Sequence, residues 1–146
     1  MHQFTLRVRY GDTDKMGFAY YANYLRWFEV GRAELMRELG HSYREVEEGG
    51  IYLPVVEAHC RYHRPARYDD ELAIQTGVAH LGRATVRFGY RVVRTSDGAL
   101  IAEGGTEHCF LDESGRPVRI PERLSQVLAQ APLSGARDAS AKAGPG

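Results

Sequence analysis

Long apolar runs are missing from this chain. None approaches the ~18 consecutive apolar residues that a membrane-spanning helix requires, and the opening MHQFTLRVRY lacks the apolar stretch of a secretory leader. Cysteine is scarce too. Cys60 and Cys109 are the only two, far apart and in no metal-ligand spacing, so neither a disulfide framework nor a zinc site is expected. These absences point to a cytoplasmic protein with reduced thiols, each read as a buried structural cysteine because no activating neighbour is in sight. Charge of one sign is also absent. Lys plus Arg is 19 and Asp plus Glu is 19, so no overall field favours nucleic acid or an anionic membrane. Lysine occurs only at Lys15 and Lys142. Arginine suits bidentate contacts to phosphate or carboxylate, but a genome rich in G and C accounts for the same bias. No G-x-G-x-x-G or phosphate loop occurs, nor a G-x-S-x-G elbow. His59 and His63 would share a metal ion on a helix, but on a strand they stand ~13 Å apart. No cofactor is expected.

What is present has the size of one domain, 146 residues. Residues 3–10 alternate, with Phe4, Leu6, Val8 and Tyr10 on one face, as in a half-buried strand. A helix follows from about Ala22 to Leu39, carrying Tyr24, Leu25, Phe28, Leu35, Met36 and Leu39, with Gly40 as its stop. Arg32 falls inside this stripe and Glu29 on its edge, close enough to pair. A charged connector runs from His41 to Gly50. Leu53–Arg64 alternates between Val56, Ala58, Cys60 and Tyr62 on one face and Glu57, His59, Arg61 and His63 on the other. Further strands are expected at Glu71–Ala79, Ala84–Arg94 and Ala99–Leu111, with a tight turn at Ser96-Asp97-Gly98 and another at 112–115. Gly104-Gly105, inside the last of these, reads as a bulge or a close approach. Pro121 opens a short helix. From Pro132 the composition turns to Pro, Ser, Gly, Ala and Lys, with little to bury, so residues 132–146 are expected to form a disordered tail behind a domain of residues 1–131.

Strand, long helix, four strands and short helix make an α+β fold: an antiparallel five-stranded sheet with the helix on one face. The uncovered face, including Ile101, Cys109 and Leu111, is expected to meet a second subunit.

The most chemically loaded stretch is Tyr10–Gly31. It places Asp12 and Asp14 just ahead of a helix, where free N–H groups and the positive end of the dipole lie. Such groups can hold a substrate oxygen while a carboxylate attacks or activates water. A D-x-D pair also occurs in metal-assisted phosphoryl transfer, but the arginine-bearing strand before it and the β-rich remainder argue against that. The plainer reading is that Asp12 caps the turn and Asp14 is a solvated loop acid.

Taken together, Tyr10-x-Asp12-x-Asp14-x-Met16-Gly17, Tyr20-Tyr21-x-x-Tyr24 and Glu29-x-x-Arg32 resemble the opening of the hotdog-fold acyl-CoA thioesterases. The resemblance is to the group of hydroxybenzoyl-CoA thioesterase and the thioesterases of the bacterial Tol–Pal cluster. Tyr62-x-x-Pro65-Ala66-Arg67-x-Asp69-Asp70-x-Leu72 and the basic turn at Arg83 extend it over residues 4–131. The resemblance implies a hotdog fold, a sheet wrapped around the long helix. It also implies a homodimer with active sites at the subunit interface, often paired into a tetramer, and an acyl-CoA substrate. By the same resemblance Asp14 is the catalytic acid, as nucleophile or general base, and the Tyr21 backbone N–H polarises the thioester carbonyl. Tyr21 stands where some Tol–Pal-associated members have a histidine. Tyr10, Asp12 and Gly17 would shape the site, and Arg83, with Arg64 and Arg67, would bind coenzyme A phosphates. The competing reading is a non-catalytic module that binds acyl thioesters. A hotdog dehydratase ranks last, because its histidine-containing helix start is absent.

Overall fold

Alternation and turn chemistry place the strands. The computed structural model describes residues 1–133. In chain order these form β1 (His2–Arg7), a 3-10 turn (Tyr10–Asp12), α1 (Asn23–Glu38), α2 (Tyr43–Glu48), β2 (Val55–Tyr62), β3 (Glu71–Leu81), β4 (Thr85–Arg94), β5 (Leu100–Cys109) and α3 (Glu122–Ala129). The five strands make one antiparallel sheet in the order β1-β3-β4-β5-β2. The helix α1 lies on one face of it, with Tyr24, Trp27, Phe28, Leu35 and Met36 buried at helical spacing. They meet Leu72 and Ile74 of β3 and Val86, Phe88, Tyr90 and Val92 of β4. Phe28 stacks on Tyr90 with ring centroids 4.3 Å apart. Gly31 lets the helix settle onto β3, since a Cβ there would run into the Thr76 hydroxyl. Gly40, at φ +82°, ends α1 while His41 N–H returns to the Met36 carbonyl.

Several expectations shift. Tyr10 is not a core residue of β1. The Asp12 carboxylate accepts the Arg9 N–H at 2.9 Å and curls residues 10–12 into a 3-10 turn, leaving Tyr10 80% exposed. On α1 the buried stripe takes Trp27 in place of Leu25, which is 43% exposed. Arg32 lies against the Tyr43 and Tyr90 hydroxyls inside the chain. Ile101 meets no partner subunit: it is fully buried within the chain. The cause is an irregularity where Val92 pairs with Ala102 but Val93 pairs with Leu100. Ile101 is the extra residue, and the alternation resets around it. Gly104 and Gly105 serve close approach, Gly104 beneath Phe28 and Gly105 beneath the His59 ring. The described residues include two beyond residue 131. Pro132 bridges to Val78, and Leu133 packs against Gly77 and Gly89. The expected tail from residue 134 onward lies outside the described residues. Apolar side chains of β2 stay open to solvent: Val55, Val56 and Tyr62 are 45%, 56% and 46% exposed on an edge strand.

Candidate active site

The loop between β1 and α1 is closed by its own backbone. Thr13 bridges Ala19, Asp14 N–H donates to the Phe18 carbonyl at 2.8 Å, and Tyr20 N–H donates to the Asp12 carbonyl at 2.7 Å. Gly17 N–H returns to the Asp14 carbonyl at 3.0 Å with φ +83°, a conformation that costs other residues about 1–2 kcal/mol. The result is a miniature hairpin with the Asp14 carboxylate on its rim. Asp14 Oδ1 accepts the Met16 N–H at 2.9 Å and the Phe18 N–H at 3.3 Å. Among the described residues nothing occupies Oδ2.

The same hairpin feeds the head of α1. Ala22 is the N-cap and its side chain has no oxygen to accept an amide, so the first turn is uncapped. Asn23 N–H donates to Tyr20 O and Tyr24 N–H to Tyr21 O, but among the described residues the N–H groups of Tyr21 and Ala22 have no acceptor. One carboxylate oxygen is therefore unspent a few residues from two unspent amides at a helix N-terminus. The Tyr20 phenol borders both. Its pKa is raised, first by the hydrogen bond and charge of the neighbouring Tyr21 phenol and least by the charge of Asp14.

Asp12 is turned the other way. Its Oδ2 takes the Arg9 N–H, its Oδ1 takes the Arg26 guanidinium at 3.1 Å, and its carbonyl takes the Asn23 side-chain amide at 2.8 Å. It stitches the loop to α1, with both carboxylate oxygens engaged. Tyr10 stands edge-on to Tyr68, centroids 5.6 Å apart, at the outer lip. Arg67 lies over the Phe18 ring at 4.8 Å, tied to the hairpin by a Phe18–Arg67 bridge. Arg64 follows β2 at the same end of the sheet, with its N–H on Ile101 O. Arg83 does not join them. It turns the chain between β3 and β4, at the opposite end of the sheet from the Arg7–Glu71 pairing that leads to Asp14, about 30 Å along β3.

Three neighbours were not evident from sequence. Arg26 and Asn23 form an i,i+3 pair on α1, but nothing local marks Asp12 as their partner. Tyr62 sits on the apolar face of β2, as its alternation requires, yet its hydroxyl donates to Tyr21 O at 3.1 Å across 41 positions of chain. The histidines are accounted for elsewhere: His63 pairs with Glu103 at 2.8 Å, and His108 is fully buried. Burial pushes the Cys60 thiol up to about 11, which removes it as a nucleophile.

Comparison with known proteins identifies the family. The family model described as thioesterase-like superfamily matches residues 8–128. A hypothetical protein of Aquifex aeolicus superimposes with TM-score 0.82 at 30% identity, over 88% of this chain and 99% of that one. The 1,4-dihydroxy-2-naphthoyl-CoA hydrolase of Synechococcus elongatus is 31% identical over 130 residues, 87% of this chain and 94% of its own. Acyl-CoA thioester hydrolase YbgC of Escherichia coli is 30% identical over 100 residues, 68% of this chain and 75% of its own. With that match, that sheet order and that helix, the chain belongs to the hotdog-fold thioesterase-like superfamily.

Proposed function

We propose that this protein hydrolyses an acyl-CoA thioester to a free acid and coenzyme A. One observation carries the reading: a carboxylate with one oxygen pinned by two backbone amides, followed seven residues on, at the head of α1, by a Tyr21 N–H, both the second oxygen and that N–H having no partner among the described residues. A thioester carbonyl is weakly resonance-stabilised and has a good thiolate leaving group. It needs a nucleophile or base and a donor for the developing oxyanion. The Tyr21 N–H receives the carbonyl oxygen, and one donor of this kind is worth about 10²–10³ in rate. Asp14 Oδ2 either attacks the carbonyl carbon or takes a proton from an attacking water. In the first route the C–S bond breaks, coenzyme A leaves as thiolate, and water opens the resulting anhydride. In the second, acid and thiol form in one addition–elimination.

A second copy completes the site. Among the exposed large apolar residues, Tyr52, Val55 and Val56 lie at the start of β2 and Tyr20, Tyr21, Tyr62 and Tyr68 near its end. Antiparallel pairing of this bare edge with its own copy merges the two patches and covers both. It also carries the partner's Arg83 toward Asp14, the only way that arginine reaches a coenzyme A phosphate there.

The test is thiol release over aromatic, short-chain and long-chain acyl-CoAs. Asp14→Asn is expected to lose most turnover while keeping the circular dichroism spectrum of the parent. Full activity in that variant refutes the assignment of Asp14. Binding across the whole panel without turnover by the parent returns the chain to the non-catalytic module.

A further inference from the structure

The head of α1 is held from across the fold by a residue outside the Tyr10–Gly31 stretch. Tyr62, the last residue of β2, donates its phenolic hydrogen to the Tyr21 carbonyl at 3.1 Å. Its ring is clamped edge-on against Tyr24 at 5.0 Å and Tyr21 at 6.3 Å. The Tyr21 carbonyl also accepts the Tyr24 N–H, at a longer 3.3 Å. That carbonyl shares one peptide plane with the Ala22 N–H, and the neighbouring plane carries the Tyr21 N–H. Both N–H groups lack an acceptor among the described residues, and no side chain caps the turn. Among the described residues no other group from outside the helix bonds to these two planes.

We propose that Tyr62 is a positioning residue for the oxyanion donors: through the Tyr21 carbonyl it sets the peptide planes from which the Tyr21 and Ala22 N–H groups meet the thioester oxygen. Two effects follow from the geometry. A donor on the carbonyl oxygen stops the 21–22 plane from rocking, so the amides meet the oxyanion without reorganising. It also draws electron density toward that oxygen, which makes the Ala22 N–H on the same plane a stronger donor, the cooperative effect of chained hydrogen bonds. The phenol's pKa is pushed up to about 12 by burial, so it stays a donor at neutral pH. The role belongs to Tyr62 and not to Tyr24, whose ring is buried in the core against Trp27. The inference rests on the proposed hydrolase reading, and on the Tyr21 N–H as oxyanion donor.

The experiment is Tyr62→Phe in the full-length protein, which keeps the ring contacts and removes the hydroxyl. With an acyl-CoA that the parent hydrolyses, kcat is expected to fall about fivefold, the typical net worth of one hydrogen bond, with KM unchanged. The direct readout is the carbonyl stretch of a carbonyl-¹³C acyl-CoA bound to Asp14→Asn, which cannot turn it over. That band is expected below its solution frequency, and adding Tyr62→Phe is expected to move it part of the way back. A red-shifted band that Tyr62→Phe leaves in place refutes the role of Tyr62 alone. A band at its solution frequency in Asp14→Asn itself refutes the oxyanion donors, and Tyr62 with them. A raised KM at unchanged kcat makes Tyr62 a substrate contact and overturns the proposal. Should the phenylalanine variant fail to fold, Tyr62→Met also removes the donor and is held to the same outcomes.

Discussion

Acid should unfold this protein through one histidine. His108, on β5, lies fully buried. Its Nδ1 faces the Leu53 carbonyl at 3.0 Å and its Nε2 faces the Thr106 hydroxyl at 2.8 Å, which in turn meets the Tyr90 hydroxyl at 2.6 Å. A carbonyl can only accept, so Nδ1 carries the hydrogen and Nε2 is the acceptor of a neutral ring. Burial, aided by the Arg32 cation and opposed by the Leu53 carbonyl, lowers its pKa from 6.5 to about 4. In the unfolded chain the ring takes up its proton near 6.5, in the folded chain only near 4. Between those values the unfolded state binds more protons, so stability is present above pH 6.5 and is lost as pH falls. At 1.36 kcal/mol per unit the full gap is worth about 3 kcal/mol, of which about 2 is gone by pH 5. Urea unfolding at pH 7.5 and pH 5, at fixed protomer concentration because assembly contributes to stability, measures the loss. His108→Gln lowers stability at both pH values but removes this slope, so its loss between them is expected to be about 2 kcal/mol smaller. Equal losses in parent and variant, or an imidazole resonance of His108 that titrates above pH 6, refute the reasoning.

Other perturbations have equally definite signs. Gly31→Ala places a Cβ against the Thr76 hydroxyl and 2.9 Å from an Ile74 methyl; about 1–3 kcal/mol of stability should go, visible as a lower thermal midpoint. Asp12→Ala releases the Arg9 amide, Arg26 and the grip on the loop. Thiol release should fall by an order of magnitude or more, with the thermal midpoint down by a few degrees; unchanged turnover would show that the loop needs no such anchor. Val56→Lys alters a residue that is 56% exposed in the single chain but covered in the proposed pairing of β2 edges. Light scattering should report a reduced mass, and turnover should fall with it, while the circular dichroism spectrum stays the same.

Most of the fold was legible because its causes are local. The period-two runs of β3 and β4 reappear with Leu72, Ile74, Val86, Phe88, Tyr90 and Val92 all buried. Gly98 and Gly115 sit at positive φ in the turns that their sequences announced, and Gly40 closes α1. Reading failed where a specific contact or a bulge overrode the period. Tyr10 left β1 because the Asp12 carboxylate captured an amide, and Ile101 went inward because one extra residue reset the register of β5. Leu133 packs where Gly77 and Gly89, far back in the chain, leave room for it.

The same division runs through Tyr10–Gly31. The sequence by itself determined that an acid precedes a glycine turn and a helix, since spacing, positive φ and helical periodicity are properties of neighbouring residues. Tertiary structure decided which acid is free. Asp12 and Asp14 differ by two positions, yet Asp12 is consumed by Arg26 and the Arg9 amide while Asp14 keeps one oxygen unoccupied. It also decided that Tyr62 reaches the helix head and that Arg83 stands at the far end of the sheet. Those outcomes depend on which distant segments the packed sheet brings together, and no local pattern records them.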